Sequence, residues 1–227
     1  MTRLLPELYD ARFDEREISR KADVWREIVA YLERYIDPAG PTLDVACDRG
    51  HFIRFVTTPE RWATDIRDMR AALPTDIRFI QGSGLDLAKL LPNGHFATVF
   101  MSNYLEHLES SDAVIDQLRV VRTLLRPGGR VIVLQPNIRL VGPRYWDFID
   151  HRVALTERSL VEAARAAGFE VETLIPRFLP YSTKGRLPRS PWLVRAYLRV
   201  PLAWRLMGKQ TLLVAHPAES AAAVRAS

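Results

Sequence analysis

The sequence is poor in cysteine and in long apolar runs. Cys47 is the only cysteine among 227 residues, so no disulfide can form within the chain. Proteins with this cysteine usage are typical of reducing compartments. No apolar run approaches the roughly 20 residues of a membrane-spanning helix, and the first residues lack the apolar segment of a signal peptide. From these absences we expect a cytoplasmic protein.

Acidic residues are scarce in one region of the chain. Residues 173–220 contain eight lysines and arginines but only one acid, Glu219, whereas the remaining sequence is nearly neutral. This basic segment favours an anionic partner, either a phosphorylated or acidic small molecule or a lipid surface. Nucleic acid is the least favoured partner because no recognition motif accompanies the charge. A solvated basic face explains the pattern equally well.

The residues that are present indicate one α/β domain. Hydrophobic residues make up 48% and charged residues 26% of the chain, as in ordinary globular proteins. Short apolar runs predict strands at 42–47, 61–64, 77–80, 96–101, 130–134, 169–176 and 210–216, and helical spacing predicts helices at 12–36, 51–56, 67–73, 113–125 and 159–167. Alternating strands and helices predict a parallel sheet covered on both faces.

Ligands of such sheets bind where the strands end at their carboxyl edge. Four punctuated motifs lie at the ends of predicted strands, and a fifth forms the turn before the fifth strand. They are Leu43-Asp-Val-Ala-Cys-Asp-Arg-Gly-His-Phe52, Asp65, Gly82-Ser83, Ser102-Asn-Tyr-Leu-Glu-His-Leu108 and Leu125-Arg-Pro-Gly-Gly-Arg130. In this order the motifs resemble those of class I S-adenosylmethionine-dependent methyltransferases. The resemblance implies a Rossmann-like doubly wound sheet that is mostly parallel with an antiparallel last strand.

The resemblance also implies S-adenosylmethionine as the cofactor. The residues it places around the cofactor are Asp44, Ala46, Cys47, Asp48, Gly50, Asp65, Ile66, Gly82, Ser83, Gly84, Asn103 and Tyr104. Asp65 would bind the ribose hydroxyls, although an N-cap for the next helix explains it as well. Asp44 could instead anchor the amides of its own turn. Ala46 and Asp48 replace two glycines of the family motif, and the Asp48 carboxylate could pair with the cofactor ammonium or repel its carboxylate.

Two histidines are candidate catalytic bases. His107 follows the fourth strand, close to where the transferred methyl group would lie, and His151 follows the fifth. Other polar residues after the fifth strand could line an acceptor pocket or form a polar loop surface: Gln135, Asn137, Arg139, Asp147 and Asp150. The spacings match no metal motif, so the sequence predicts no metal site.

We expect a single domain, 1–227, with three parts. Residues 1–40 form an N-terminal helical lid, in which Tyr9 and Arg12 could cover the cofactor. Residues 42–176 and 210–217 form the core, and 177–209 form a basic, aromatic insert that Pro201 divides. The insert could contact a membrane surface through residues 184–209 or hold a lipid-linked acceptor; an amphipathic cap on the core or a dimer contact explains it equally well.

These observations lead to two functional hypotheses. The first is an enzyme that methylates a hydroxyl of a small-molecule, sugar or lipid-linked acceptor. The segments that favour it resemble those of a bacterial methyltransferase subgroup often found beside sugar-handling enzymes: Leu8–Phe13, Gln135–Arg139, Tyr145–His151 and Arg177–Tyr181. The second is a non-catalytic relative that binds or regulates a partner, which the changes at Ala46 and Asp48 favour. A nicotinamide-dependent oxidoreductase is less favoured because the first turn lacks the Gly-x-Gly-x-x-Gly pattern.

Overall fold

The structure, a computed structural model, describes residues 15–181 and 190–219, with side chains from residue 21 onward. Within these ranges seven strands form one sheet in the order β3-β2-β1-β4-β5-β7-β6. The strands are β1 (Thr42–Val45), β2 (Arg61–Asp65), β3 (Arg78–Gln81), β4 (Phe96–Ser102), β5 (Leu125–Pro136), β6 (Phe169–Leu179) and β7 (Gln210–Pro217). β1 to β5 pair in parallel, and β7 is antiparallel to both of its neighbours.

Helices cover both faces of the sheet. They are α1 (Glu15–Leu32), α2 (Leu87–Leu90), α3 (Ser111–Leu124), α4 (Ile138–Val141), α5 (Glu157–Ala166), α6 (Pro191–Arg199) and α7 (Pro201–Met207). Side chains of α2, α3 and α5 form the core on one face, and side chains of α1 and α6 pack on the other face. The predicted Rossmann-like fold, with an antiparallel last strand, is confirmed.

The central strands read as apolar runs because both of their faces are buried. All four residues of β1 are buried, as are the first six of β4. β1 and β4 are adjacent and in register from Thr42 opposite Thr98 to Val45 opposite Met101. The carboxyl ends of these two strands therefore lie side by side at the middle of the sheet.

Several predicted boundaries were wrong. Residues 51–55 form turns rather than a helix, and the predicted helix at 67–73 is reduced to a 3-10 turn at Arg70–Ala72. β5 begins at Leu125, ahead of the turn expected at 126–129. β6 continues to Leu179, because its carboxyl end still pairs with β7, so the predicted insert loses its first three residues to the sheet.

The described part of the insert is a pair of helices separated by Pro201. This proline occupies the first position of α7, where its missing amide hydrogen costs no hydrogen bond. The division predicted at Pro201 is thus confirmed. None of the helices in the described ranges has the length and apolar character that crossing a membrane requires.

Three aromatic rings attach α7 to the sheet. Phe178 of β6 lies 4.9 Å from Tyr31 of α1 and 5.5 Å from Trp204 of α7, measured between ring centroids. Tyr31 and Trp204 meet edge to face at 5.8 Å. Because Phe178 is fully buried, this aromatic cluster fixes the position of α7 over the end of the sheet.

Replacing Phe178 with alanine should lower the free energy of unfolding by about 3–5 kcal/mol, as for other buried aromatic residues. The matched control is Trp192→Ala, since Trp192 is 66% exposed and its loss should cost less than about 0.5 kcal/mol. Urea denaturation followed by circular dichroism measures both values. Equal losses for the two variants would show that the aromatic cluster does not support this region.

Candidate active site

A cavity of about 1220 Å³ opens at the carboxyl edge of the central strands. The chain order of the strands reverses between β1 and β4, so the loops after them leave in opposite directions and separate. The cavity is larger than the 300–1,000 Å³ typical of single-ligand pockets. It therefore has room for two molecules side by side.

The turn after β1 keeps a left-handed backbone at all three positions of the expected glycine motif. Ala46, Asp48 and Gly50 have φ values of 55°, 48° and 69°. Glycine adopts this conformation without strain and aspartate does so at a reduced cost, whereas alanine costs roughly 1–2 kcal/mol there. The chain thus retains the backbone path of a glycine-rich turn despite its two substitutions.

A buried carboxylate and two buried aromatic rings pack beside this turn. Asp44 is 3% exposed, and burial raises its pKa well above the usual range, while a hydrogen bond from the Ile53 amide acts in the opposite direction. Phe52 and Phe100 stack beneath the cavity with ring centroids 3.7 Å apart. The anchoring function considered for Asp44 agrees with this hydrogen bond, because the Ile53 amide lies in the segment that follows the turn.

Arg67 lies between two carboxylates of the cavity wall. Its guanidinium donates to Asp48 Oδ1 at 2.8 Å and to Asp65 Oδ1 at 3.2 Å. The Asp48 carboxylate is thereby paired with a cation of the protein itself. The repulsion considered for Asp48 is weakened accordingly, although Arg67 balances the charge of only one of the two carboxylates that it contacts.

The Asp65 carboxylate accepts four hydrogen bonds, which matches its capacity of about four lone-pair sites. Two come from the backbone amides of Asp48 and Arg67, at 3.0 and 2.9 Å, and two from the Arg67 guanidinium. The N-cap considered for Asp65 was wrong, because the 3-10 turn at Arg70–Ala72 has Met69 at its N-cap position. The bond from the Arg67 amide to Asp65 belongs to a local turn instead. Ribose hydroxyls could bind Asp65 only by replacing the guanidinium bonds, since the amide bonds belong to the fold.

The loop after β3 approaches the segment after β4 closely. A side chain on Gly84 would place its Cβ 2.1 Å from the Tyr104 hydroxyl and 2.4 Å from Gln117 Oε1. That hydroxyl donates to Gln117 at 2.9 Å, so it is engaged within the protein. Gly82, Ser83 and Gly84 line the cavity, as do Cys47, Ile66, Asn103 and Tyr104. The positions predicted to bind the cofactor, Gly50 excepted, thus all line this cavity.

A second polar group of residues lines the same cavity, after β4 and β5. Glu106, His107, Asp150 and His151 all line the cavity. His107 Nδ1 lies 3.0 Å from the Asp150 carbonyl oxygen, and the rings of His107 and His151 meet edge to face at 5.0 Å. Because a carbonyl only accepts, Nδ1 carries the proton and Nε2 of neutral His107 keeps its lone pair.

Glu106 and Tyr181 are polar groups in an apolar setting. Glu106 is 1% exposed and accepts a hydrogen bond from Gln135 Nε2 at 3.0 Å. Burial raises the pKa of Glu106, and burial together with the Glu106 carboxylate raises the pKa of Tyr181 to about 12. Tyr181 is therefore a neutral hydrogen-bond donor at neutral pH.

Three side chains could together hold a metal ion, because one possible ligand atom from each lies within 4.8 Å of the others: Glu106, His107 and His151. The sequence predicted no metal site, and its spacing gave no signal, since His107 and His151 are 44 positions apart. Of the other polar residues considered for the acceptor pocket, Asp147 lines the cavity. Asn137 and Arg139 instead bind Glu157, at 2.7 and 2.6 Å.

Helices α1, α6 and α7 form the apolar wall of the cavity. Trp25 of α1 stacks on His51 with ring centroids 6.4 Å apart, and burial lowers the pKa of His51 to about 4. Arg195 of α6 donates twice to Glu27 of α1, at 2.8 and 2.7 Å. These contacts place α1 over the cavity, whereas Tyr9 and Arg12, predicted to act as a lid, lie outside the described residues.

The sequence profile of the methyltransferase-domain family matches residues 16–174, which include β1 to β5, the turn after β1 and both histidines. No curated protein matches the chain in sequence.

Solved structures share the fold at low identity. An S-adenosylmethionine-dependent methyltransferase from Archaeoglobus fulgidus is similar with a TM-score of 0.61 and 17% identity, covering 84% of this chain and 93% of the other. One from Mesorhizobium loti has a TM-score of 0.59 and 18% identity, covering 81% and 94%. The geranyl diphosphate C-methyltransferase of Streptomyces coelicolor, solved with S-adenosyl-L-homocysteine, has a TM-score of 0.58 and 15% identity, covering 84% and 78%.

Replacing Ala46 with glycine should relieve the strain of its positive φ and raise the free energy of unfolding by up to about 1 kcal/mol. Relief of roughly 1–2 kcal/mol is offset by the greater freedom of glycine in the unfolded chain. The control is Ala63→Gly, a fully buried strand residue without positive φ, which should be destabilised. Chemical denaturation measures both, and a loss of stability in Ala46→Gly would contradict the strain argument.

Proposed function

The chain belongs to the methyltransferase-domain family, and on that basis we propose that it transfers the methyl group of S-adenosylmethionine to a hydroxyl of a small-molecule acceptor. One observation carries this proposal. A single cavity is lined by the glycine-type turn and Asp65, here called the first wall, and by the pair His107 and His151, here called the second wall. A cofactor held by the first wall would direct its methyl group toward the second.

The first wall supplies groups for each part of the cofactor. Asp65 accepts hydrogen bonds from ribose hydroxyls once the Arg67 guanidinium moves toward Asp48. The left-handed turn at Ala46 and Asp48 lets the backbone approach the methionine part, as glycine-rich turns do for other nucleotides. The loop at Gly82 and Ser83 lies at the adenine end, where the Ser83 hydroxyl can bind the amino group.

Methyl transfer is an in-line displacement at the methyl carbon. The acceptor oxygen forms the new bond, and the carbon–sulfur bond breaks with its electron pair passing to sulfur. Holding the two molecules in line supplies most of the acceleration. His107 Nε2 takes the hydroxyl proton in the simplest form of the reaction, because Nδ1 is fixed on the Asp150 carbonyl.

The walls also limit the acceptor. Arg144 and Arg152 line the cavity and pair with Asp147 and Glu109, so an acidic or phosphate group of an acceptor would bind them by replacing these carboxylates. Leu193, Tyr197 and Met207 line the same cavity and favour an apolar portion. We therefore propose an anionic acceptor, with a sugar hydroxyl or a lipid-linked hydroxyl as the methylated group.

Replacing Asp65 with alanine should weaken S-adenosylmethionine binding by tenfold or more, because the ribose hydroxyls lose their charged acceptor. Asp68→Ala is the matched control, since Asp68 lies three positions away and pairs with Arg70 on the surface. Calorimetric titration of wild type and both variants measures the affinities. If folded wild type binds no cofactor, the non-catalytic alternative takes the place of this proposal.

An exposed apolar face supports the lipid-linked form of the acceptor. Trp192, Leu202 and Leu206 are 66%, 65% and 78% exposed, and they belong to the helix pair whose other side lines the cavity. Arg199 and Arg205 are exposed on the same helices. Apolar side chains beside basic ones are the pattern of a helix that rests on an anionic membrane surface.

The double variant Leu202→Glu/Leu206→Glu should abolish co-sedimentation with vesicles that contain anionic lipid, because it removes apolar contacts and adds like charge. Leu90→Glu is the control, since Leu90 is 47% exposed on α2 and should leave binding unchanged. Wild type that stays in the supernatant at low salt would exclude the membrane contact without affecting methyl transfer to a soluble acceptor.

A further inference from the structure

Two imidazoles and one carboxylate converge at the acceptor side of the cavity, and from this arrangement we infer that Glu106, His107 and His151 bind a divalent transition-metal ion of the zinc class. The inference rests on the proposed function and changes one part of it. The ion, rather than the His107 imidazole, activates the acceptor hydroxyl.

The three ligand atoms are close together before any ion is added. They lie within 4.8 Å of one another, and Glu106 Oε1 is 3.9 Å from His107 Nε2. Small side-chain rotations bring such atoms to the roughly 2.0–2.2 Å from a common centre that zinc requires.

The orientation of His107 is that of a metal ligand. Metal-bound histidines almost always donate their second ring N–H to a carbonyl or carboxylate, which fixes the tautomer. His107 Nδ1 donates to the Asp150 carbonyl at 3.0 Å, and the Asp150 carboxylate Oδ2 is a nearby charge at 3.5 Å. Its Nε2 lone pair is consequently directed to the side of Glu106.

His151 is held beside His107 by packing. Its ring lies 4.7 Å from that of Tyr145 and stacks on Phe148 at 5.2 Å. Tyr145 is fully buried and its hydroxyl donates to the Val153 carbonyl at 2.6 Å. A rigid neighbour therefore limits the positions of the second imidazole.

The charge of Glu106 also favours a cation at this position. Glu106 is 1% exposed, and Gln135 gives it a neutral hydrogen bond. Among the described residues no lysine or arginine forms an ion pair with it, and His107 is its one charged partner if protonated. Burying an uncompensated carboxylate is costly, and a bound dication would remove that cost.

The set of ligands indicates the class of metal. Imidazole nitrogen suits zinc, iron, nickel and copper, whereas magnesium and calcium prefer oxygen ligands alone. Two histidines and a glutamate also occur at catalytic zinc sites that keep an open position. Here the open side faces the cavity, where the acceptor hydroxyl would bind.

The ion would act as a Lewis acid on the acceptor. It lowers the pKa of a coordinated hydroxyl, so the proton passes to solvent water in the open cavity. The oxygen lone pair then forms the bond to the methyl carbon, and the carbon–sulfur bond breaks with its electron pair on sulfur. His107 does not accept the hydroxyl proton in this form of the reaction.

The test is calorimetric titration of tag-free, chelator-treated full-length protein with Zn²⁺, in the absence of S-adenosylmethionine. We expect one equivalent of Zn²⁺ to bind, with Mg²⁺ binding much more weakly. His107→Ala and His151→Ala should each lower Zn²⁺ affinity by about 100-fold or more. His216→Ala is the matched control, because His216 lies on β7 toward the opposite end of the sheet, and its affinity should be unchanged.

Co²⁺ provides a second readout. Its visible absorption should show nitrogen and oxygen coordination in wild type and should change in Glu106→Gln. This variant keeps the size of the side chain, so it tests the site even if the alanine variants fail to fold. Absence of Zn²⁺ binding, or equal binding by all variants, would overturn the inference. Unchanged methyl transfer by metal-free protein would overturn the activating function of the ion and leave the proposed function intact. Binding of Zn²⁺ without binding of S-adenosylmethionine would contradict the proposed function and support the metal site.

Discussion

The candidate site depends on the reversal of strand order between β1 and β4. Parallel strands end at one edge of the sheet, and only where the order reverses do their loops part and leave a cavity. β1 contributes the turn at Ala46 and Asp48, and β4 contributes the turn with Glu106 and His107. The topology of the sheet alone therefore brings the turn after β1 and the turn after β4, which carry the proposed cofactor and acceptor residues, to one cavity.

The turn after β1 shows how a motif can change while its conformation is kept. Ala46 and Asp48 replace glycines but retain left-handed backbone, so the path of the chain is set by the surrounding structure rather than by the intrinsic preference of these residues. The Asp48 carboxylate brings a charge that a glycine would not, and Arg67 neutralises it while also binding Asp65. The substitution at Asp48 and the pairing with Arg67 form one unit.

The sequence predicted the sheet better than the site. Strands such as β4 and β7 are continuous apolar runs, and α3 has regular helical spacing, so local patterns determine them. Residues 51–55 have apolar positions that a helix would also use, but their contacts with the sheet arrange them as turns. The Asp48–Arg67 pair and the approach of His107 to His151 could not be predicted, because they join positions 19 and 44 apart whose distance only the folded sheet sets.

The apolar wall bears on the reaction as well as on binding. A sulfonium is positive and an activated acceptor oxygen is negative, and both charges disappear as the methyl group moves. An apolar wall favours that loss of charge. An unpaired carboxylate opposes it, because it stabilises the sulfonium before transfer more than during transfer. On the proposed cofactor side Arg67 pairs with Asp48 and Asp65 and balances the charge of one of these two carboxylates. On the proposed acceptor side Glu106 carries no net charge when it holds either a proton, as its raised pKa favours, or a cation. Protonation of Glu106 and pairing of Asp48 thus both reduce the number of unpaired carboxylates in one cavity.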